Sequence, residues 1–319
     1  MWLCIQSFGK MEEKIYTFNR YLRNIFKERV HRISIDAGFS CPNIDGTKSK
    51  KGCFYCNNRA FSRYSFKNLD IETQIIQSAK FYKERMEVKK FIAYFQAFTN
   101  TYADVDTLKK TYDVIKKFPF FVGLFISTRP DCVNEEKLKM IAEYKKDYLV
   151  WIEYGLQTTH NRILKLINRN HTYEDFLKAL EMTKKYGINV GVHMIIGLPQ
   201  QSYEDIMVDA QRLASLDIDG IKFHMLHILK DTEFEVWFKE KRINLLTQDE
   251  YVKIVCDFLE RIRSDIVILR LVSTADPRYL IAPLWINKRS EVIKKINEEL
   301  ERRGTFQGYL YEGSNIKNK

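Results

Sequence analysis

Six short apolar runs, each followed by a segment of helical period, constrain this chain more than any other feature. The runs are Arg32–Asp36, Phe91–Gln96, Phe121–Ser127, Leu149–Tyr154, Asn189–Ile196 and Gly220–His224, all rich in β-branched or aromatic residues. Helix-period segments lie near residues 72–86, 104–117, 134–146, 172–186 and 202–215. Thr172 with Asp175, and Ser202 with Asp205, have the spacing that caps a first helical turn. Parallel strands need long crossover connections, which are usually helices, so serial βα units predict an α/β fold with a covered parallel sheet. Six strands are too few for a complete eight-stranded barrel, which leaves a doubly wound sheet and a partial barrel as rivals on pattern alone. Beyond the sixth run come a helix opening at Thr247 with Glu250, an apolar run Ile266–Leu271, and a last helix, roughly Ser290–Arg303, stopped by Gly304. The expected division is a basic extension over 1–30, a core over 31–230, and a C-terminal α/β extension over 231–319 packed on that core.

Composition narrows the class. Hydrophobic residues make up 45% and charged residues 29% of 319, which excludes a disordered or fibrous chain. No apolar stretch approaches the roughly eighteen residues of a membrane span, and the opening MWLCIQSFGK lacks the apolar centre of a secretion signal, so a cytosolic protein is expected. Residues 1–70 carry 13 basic against 6 acidic side chains and residues 288–319 carry 8 against 5, so the ends are basic. Such ends, with Lys48, Lys50 and Lys51 in one loop, suit a polyanionic partner such as RNA, or simply a solvated surface.

Six cysteines are too few for a disulfide scaffold, and in a reducing cytosol closely spaced thiols read as metal ligands or catalytic groups. Directly after the first run comes CPNIDGTKSKKGCFYC, which brings Cys41, Cys53 and Cys56 into one loop. Zinc wants a fourth protein ligand, and His31 is the nearest candidate, across the strand. A four-iron cluster held by three thiolates keeps one iron open for a ligand, and Tyr55 just before the last thiol can shield it. Cys256 shares an apolar helical face with Val252, Val255 and Leu259 and reads as core, Cys132 is ambiguous, and Cys4 precedes Met11, itself a plausible natural start.

This cysteine triad after the first strand of a βα series resembles the radical S-adenosylmethionine (SAM) superfamily. The runs DAGFSCPNIDGT, EYGLQTTHNRILKLINRNHT, HMIIGLPQQSYED and WINKRSEVIKKINEELERRGTFQG resemble the YhcC/YtqA-like branch, related to the catalytic subunit of elongator, over residues 14 to 308. Lys48, Ser49, Lys50 and Lys51 stand where that branch is usually rich in glycine. The resemblance implies a partial (β/α)6 TIM-like barrel, a 4Fe–4S cluster on Cys41, Cys53 and Cys56, and SAM as cofactor.

The resemblance also suggests where SAM would sit. Glu153, Gly155 and Gln157 alternate and share one sheet face, with Gln157 suited to a ribose hydroxyl. Arg169 matches the arginine that relatives set against the methionine carboxylate, although it also reads as a surface residue opening a helix. His193, otherwise an ordinary core histidine, precedes Ile195 and Gly197, which suit adenine. Gln96 and Asn100 lie where relatives contact the methionine amino group, but QAFTN replaces the usual Gly-Gly-Glu. Lys222, His224 and His227 at the sixth strand are candidates to face the substrate or else ordinary strand-end residues, and Arg129 in STRPD and Arg270 in RLVSTADP are further candidates. The implied activity is radical SAM chemistry on tRNA wobble uridine, converting 5-carboxymethylaminomethyl to aminomethyl, with a flavodoxin or ferredoxin as electron donor. The remaining length leaves no acetyltransferase segment, so acetyl-derived carboxymethylation is not expected. Radical chemistry on a small molecule and a metal-stabilised RNA-binding module without turnover are the alternatives.

Overall fold

A computed structural model describes residues 14–60 and 69–311. Cys4 and Met11 lie outside the described residues. After helix α1 (Phe18–Phe26), the βα series runs β1 (Val30–Ile35), α2 (Ile71–Met86), β2 (Lys90–Phe95), α3 (Val105–Tyr112), β3 (Phe121–Thr128), α4 (Glu135–Ala142) and β4 (Leu149–Gln157). It continues with α5 (Asn161–Leu166), α6 (Tyr173–Lys185), β5 (Asn189–Ile196), α7 (Tyr203–Ala214) and β6 (Gly220–Met225). All six expected strands form within a few residues of their expected ends. The helices expected over 104–117 and 134–146 are α-helical only in their first halves and tighten to 3₁₀ turns at Asp113–Lys117 and Glu143–Lys146.

The C-terminal part adds β7 (Ile228–Leu229), α8 (Glu233–Lys239), α9 (Gln248–Arg261), β8 (Val267–Arg270), β9 (Leu280–Ala282) and α10 (Arg289–Arg303). The apolar run at Ile266–Leu271 becomes β8, which pairs in parallel with β6 and gives the main sheet a seventh strand. The strand order is β1-β2-β3-β4-β5-β6-β8, and β7 and β9 pair separately. Thr172, Ser202 and Thr247 each form a capping box with Asp175, Asp205 and Glu250, each cap contributing about 1 kcal/mol. Gly304 ends α10 at φ 68°.

The sheet curls far enough to bring its two edge strands within reach of one side chain: Arg32 Nη2 on β1 donates to the Leu269 carbonyl of β8 at 3.3 Å. A doubly wound sheet would hold those edges apart. Two apolar masses follow. One lies between the outer sheet face and the helices and includes Phe91, Ile126, Ile152 and Phe258. The other fills the lower lumen, where Ile92, Phe125, Trp151, Val267 and Leu269 point inward. Phe18 and Leu22 of α1 join that inner mass, and Ile268 N–H donates to the Tyr16 carbonyl at 2.8 Å. The N-terminal helix therefore plugs the amino end of the strands. The carboxyl ends are left for the site.

Candidate functional site

The cysteine loop leaves β1 at the open, carboxyl end of the barrel and is pinned by backbone bonds on both sides. Phe54 N–H donates to the Ile167 carbonyl at 3.1 Å, and Phe234 N–H donates to the Phe54 carbonyl at 3.0 Å. Beneath it Phe54 and Tyr55 pack on Ile167, Ile195, Phe234 and Trp237. Cys41, Cys53 and Cys56 line one cavity of ≈ 560 Å³ together with Tyr55, Arg129, Gln157, Arg169 and His193.

Polar hydrogens are aimed at the sulfurs. Arg169 Nη1 donates to Cys53 Sγ at 3.4 Å, Asn43 Nδ2 to the same sulfur at 3.3 Å, and Asn58 Nδ2 to Cys56 Sγ at 3.8 Å. Burial pushes the Cys53 thiol up, but the Arg169 and Arg129 guanidiniums outweigh it and shift it toward thiolate. Crowding by the surrounding loop, and then the Cys53 and Cys41 sulfurs, push the Cys56 thiol up, although the residue is exposed at the cavity mouth. A thiol raised by its sulfur neighbours beside one held toward thiolate suits a cationic group among them. No three His, Cys, Asp or Glu side chains among the described residues converge as one ion would require. A cubane differs from zinc here, since each thiolate binds a different corner. His31 lies at the far end of β1, its ring 4.0 Å from that of Tyr82, so it cannot complete a zinc site with these thiols.

The end of β4 shapes the cavity wall. Arg169 Nε and Nη2 donate to the Gly155 carbonyl at 3.1 and 2.6 Å, and a Cβ on Gly155 would stand 2.7 Å from that Nη2. The ladder slips between Gly155 and Gln157, and Gln157 adopts φ 81°. This bulge breaks the strict alternation expected of Glu153, Gly155 and Gln157, yet it leaves the Gln157 side chain in the cavity. Arg129 clasps Asp131 through Nε and Nη2 at 2.9 Å each. Its Nη1 is buried with no hydrogen-bond partner, an orphan donor in a cavity wall.

A second cavity of ≈ 130 Å³ shares Tyr55, Ser127, Gln157 and His193 with the first, and adds Gln96, Ile195, His224, His227 and Arg270. Arg270 Nη2 lies 2.7 and 2.6 Å from the ring nitrogens of His224, while its Nε is buried without a partner. Burial lowers Arg270 to about 10, so it stays charged at neutral pH.

Behind both cavities sits an ion network. Glu153 Oε2 accepts from Lys222 Nζ at 2.8 Å, from Tyr94 Oη at 2.8 Å and from His193 Nε2 at 2.6 Å. Burial opposes ionisation of Glu153, but Lys222 and His193 prevail and hold it well below the usual carboxylate range. Burial lowers Lys222 to about 7 and His193 to about 4. A neutral His193 that donates through Nε2 keeps Nδ1 as an acceptor.

Thus the structure gathers the three cysteines, Tyr55, Gln157, Arg169, His193 and Arg129 in one cavity, with Ile195, Gln96, His224 and Arg270 next door. Neither cavity is lined by Asn100, Gly197, Glu153 or Lys222. The Asn100 amide instead holds the Phe95 and Ser127 carbonyls at 3.1 and 2.9 Å. Gly197, at φ 86°, donates its N–H to Gln201 Oε1 at 3.0 Å. Lys48 is also less free than a solvated loop residue, since it pairs with Asp131 and donates to the Asn170 carbonyl at 3.1 Å. Asn43 and Tyr94 went unread in the sequence; period-two spacing from Gln96 marks Tyr94 as inward-facing.

The description of the Radical SAM superfamily matches residues 46–213, and that of the Radical_SAM C-terminal domain matches 218–302. The chain belongs to the radical SAM superfamily. Its 4Fe–4S cluster and SAM are those of the superfamily, and the donors aimed at the cysteine sulfurs fit a cluster. This radical SAM enzyme is 36% identical over 306 residues to the uncharacterized protein YtqA of Bacillus subtilis, covering 96% of this chain and 95% of that one. A tRNA uridine(34) acetyltransferase of Methanocaldococcus infernus is 29% identical over 138 residues, 42% of this chain and 25% of that one. The structure of M. infernus Elp3 with an N-terminal deletion superposes with a TM-score of 0.64 at 18% identity, covering 87% of this chain and 64% of that one. The radical SAM enzyme thus has the partial barrel of its superfamily, shares the fold of Elp3, and is related to YtqA along nearly the full length of both chains. No helix among its described residues is long and apolar enough to cross a membrane.

Proposed function

We propose that this radical SAM enzyme acts on the wobble uridine of tRNA in the cytosol, removing the carboxymethyl part of a 5-carboxymethylaminomethyl group to leave aminomethyl. The observation that carries this reading is Arg270. It is a permanently charged fork with a buried, unpartnered Nε in the small cavity that adjoins the cysteine cavity, and a substrate carboxylate satisfies such a group bidentately. The partial match to a tRNA uridine(34) acetyltransferase supports a tRNA substrate.

In this reading Cys41, Cys53 and Cys56 hold the cluster, and Asn43, Asn58 and Arg169 steady its sulfurs by N–H···S bonds. The free Nη1 of Arg129 takes the methionine carboxylate beside Arg169. Gln157 and the Nδ1 acceptor of His193 meet the ribose, and Ile195 meets adenine. Tyr55 covers the ligand and excludes water. Glu153 and Lys222 fix the His193 ring, and His224 orients Arg270. When bound, the cluster and SAM supply a 5′-deoxyadenosyl radical that abstracts hydrogen from an unactivated C–H bond, and a flavodoxin or ferredoxin delivers the electron.

Mass analysis of wobble nucleosides from a strain lacking the gene tests the substrate. The reading expects 5-carboxymethylaminomethyl-uridine to accumulate at the expense of its aminomethyl product. An unchanged nucleoside profile overturns it.

A further inference from the structure

The curled sheet leaves a seam between its edge strands β1 and β8, and a cavity of ≈ 640 Å³ opens there. Its walls come from parts of the chain far apart in sequence. Arg23 belongs to α1, Arg29 and Arg32 to the start of β1, Lys222 to β6, Arg270 to β8 and Arg289 to the first turn of α10. No Asp or Glu among the described residues lines it.

Glu153 reaches Arg32 and Lys222 at 3.5 and 2.8 Å, but it is shared with His193 and so does not balance the whole wall. The strain of crowded cations is visible in the groups themselves. Burial and then Arg32 hold Arg289 below its ordinary value, and burial, Arg29 and Arg32 bring His31 down to about 4. A concave site lined by one sign of charge focuses its field on an incoming anion. Gln96 and Arg270 line both this cavity and the small one beside His193, so the seam runs laterally toward the cofactor cavity.

We propose that the seam between β1 and β8 binds backbone phosphates of the nucleic-acid substrate. Arg23, Arg29 and Arg289, exposed at its mouth, take the phosphates, and Arg32 lies behind them in the wall. The target nucleoside then points past Arg270 toward the radical site. Guanidinium forks suit phosphate oxygens, and single-stranded anticodon nucleotides can splay a base into a pocket while their phosphates remain outside. This inference rests on the tRNA reading above.

The test uses the full-length, cluster-reconstituted protein with Arg23→Glu and Arg289→Glu, singly and together. The probe is a short anticodon stem–loop RNA whose binding is followed by fluorescence anisotropy across a salt series. SAM affinity is measured in parallel as the check that the barrel is intact. The double variant is expected to lose RNA affinity on the order of tenfold or more, with a salt slope shallower by about two and SAM affinity unchanged. Unaltered RNA affinity and slope in the double variant overturn the seam as the phosphate site and leave the tRNA reading standing. Failure of the native protein to bind the RNA at all overturns the tRNA reading, and this inference with it.

Discussion

Lys222 Nζ stands 2.8 Å from Glu153 Oε2 inside the barrel, with neither side chain more than 2% exposed. Burying a charge pair gains little over apolar packing, but removing one member strands the other without water. Glu153→Leu alone is therefore expected to cost about 3–5 kcal/mol in denaturant unfolding, and pairing it with Lys222→Met to restore part of that loss, since Tyr94 and His193 still lack their acceptor. Additive losses in the double-mutant cycle would show that the two groups act independently.

Acid should weaken the fold through His193. Burial and Lys222 outweigh Glu153 and depress the imidazole from 6.5 to about 4. Between those values the unfolded chain takes up a proton that the folded ring refuses, so stability is present above pH 6.5 and is lost as pH falls toward 4. The loss amounts to about 3 kcal/mol from this ring. Comparing unfolding free energies at pH 7 and pH 4.5 checks it. His193→Gln should show a smaller difference than the native protein, and an equal difference would remove His193 as the source.

Gly155→Ala should damage the cofactor site while sparing the fold. The added Cβ would lie 2.7 Å from Arg169 Nη2 and 2.9 Å from Gln157 Nε2. Both are side-chain ends that can swing away, and overpacking of this kind costs about 1–3 kcal/mol. Calorimetric titration should find SAM affinity lowered by about tenfold or more, since 1.4 kcal/mol is a factor of ten. Native affinity would show that the placement of Arg169 and Gln157 is immaterial to binding.

Much of this organisation was legible in the chain because parallel strands buried on both faces appear as dense apolar runs, as in Asn189–Ile196. Capping pairs such as Thr172 with Asp175 marked helix starts, and three thiols in one loop marked the cavity they line. What escaped was tertiary. Ile266–Leu271 has no strand signal that distinguishes an appended layer from a seventh strand, and only the parallel ladder with β6 shows it to be the latter. The register of β4, β5 and β6 sets Lys222 beside Glu153 on one face, and the curl turns Arg23, Arg32 and Arg289 into one wall. Nothing in the sequence shows that the Asn100 Nδ2 ties the Phe95 and Ser127 carbonyls together while its Oδ1 stays unpartnered. Asn43 was read only as part of the cysteine motif, with nothing to mark it as a donor to Cys53.

Asn43 should tune the cluster. Its Nδ2 donates to Cys53 Sγ at 3.3 Å, and hydrogen bonds to cluster sulfurs favour the reduced, more negative state. Asn43→Ala should retain iron but move the reduction potential to a more negative value in an electron paramagnetic resonance titration. A potential that stays put or rises would exclude that bond as an influence on the cluster.

The most direct measurement is made on protein purified without oxygen, reconstituted with iron and sulfide, and incubated with SAM and dithionite. The account predicts a brown protein with about four irons per chain that releases 5′-deoxyadenosine, with both properties lost in Cys41→Ala, Cys53→Ala and Cys56→Ala. A colourless protein that holds zinc at these thiols, or an iron protein that leaves SAM uncleaved under reducing conditions, would contradict it.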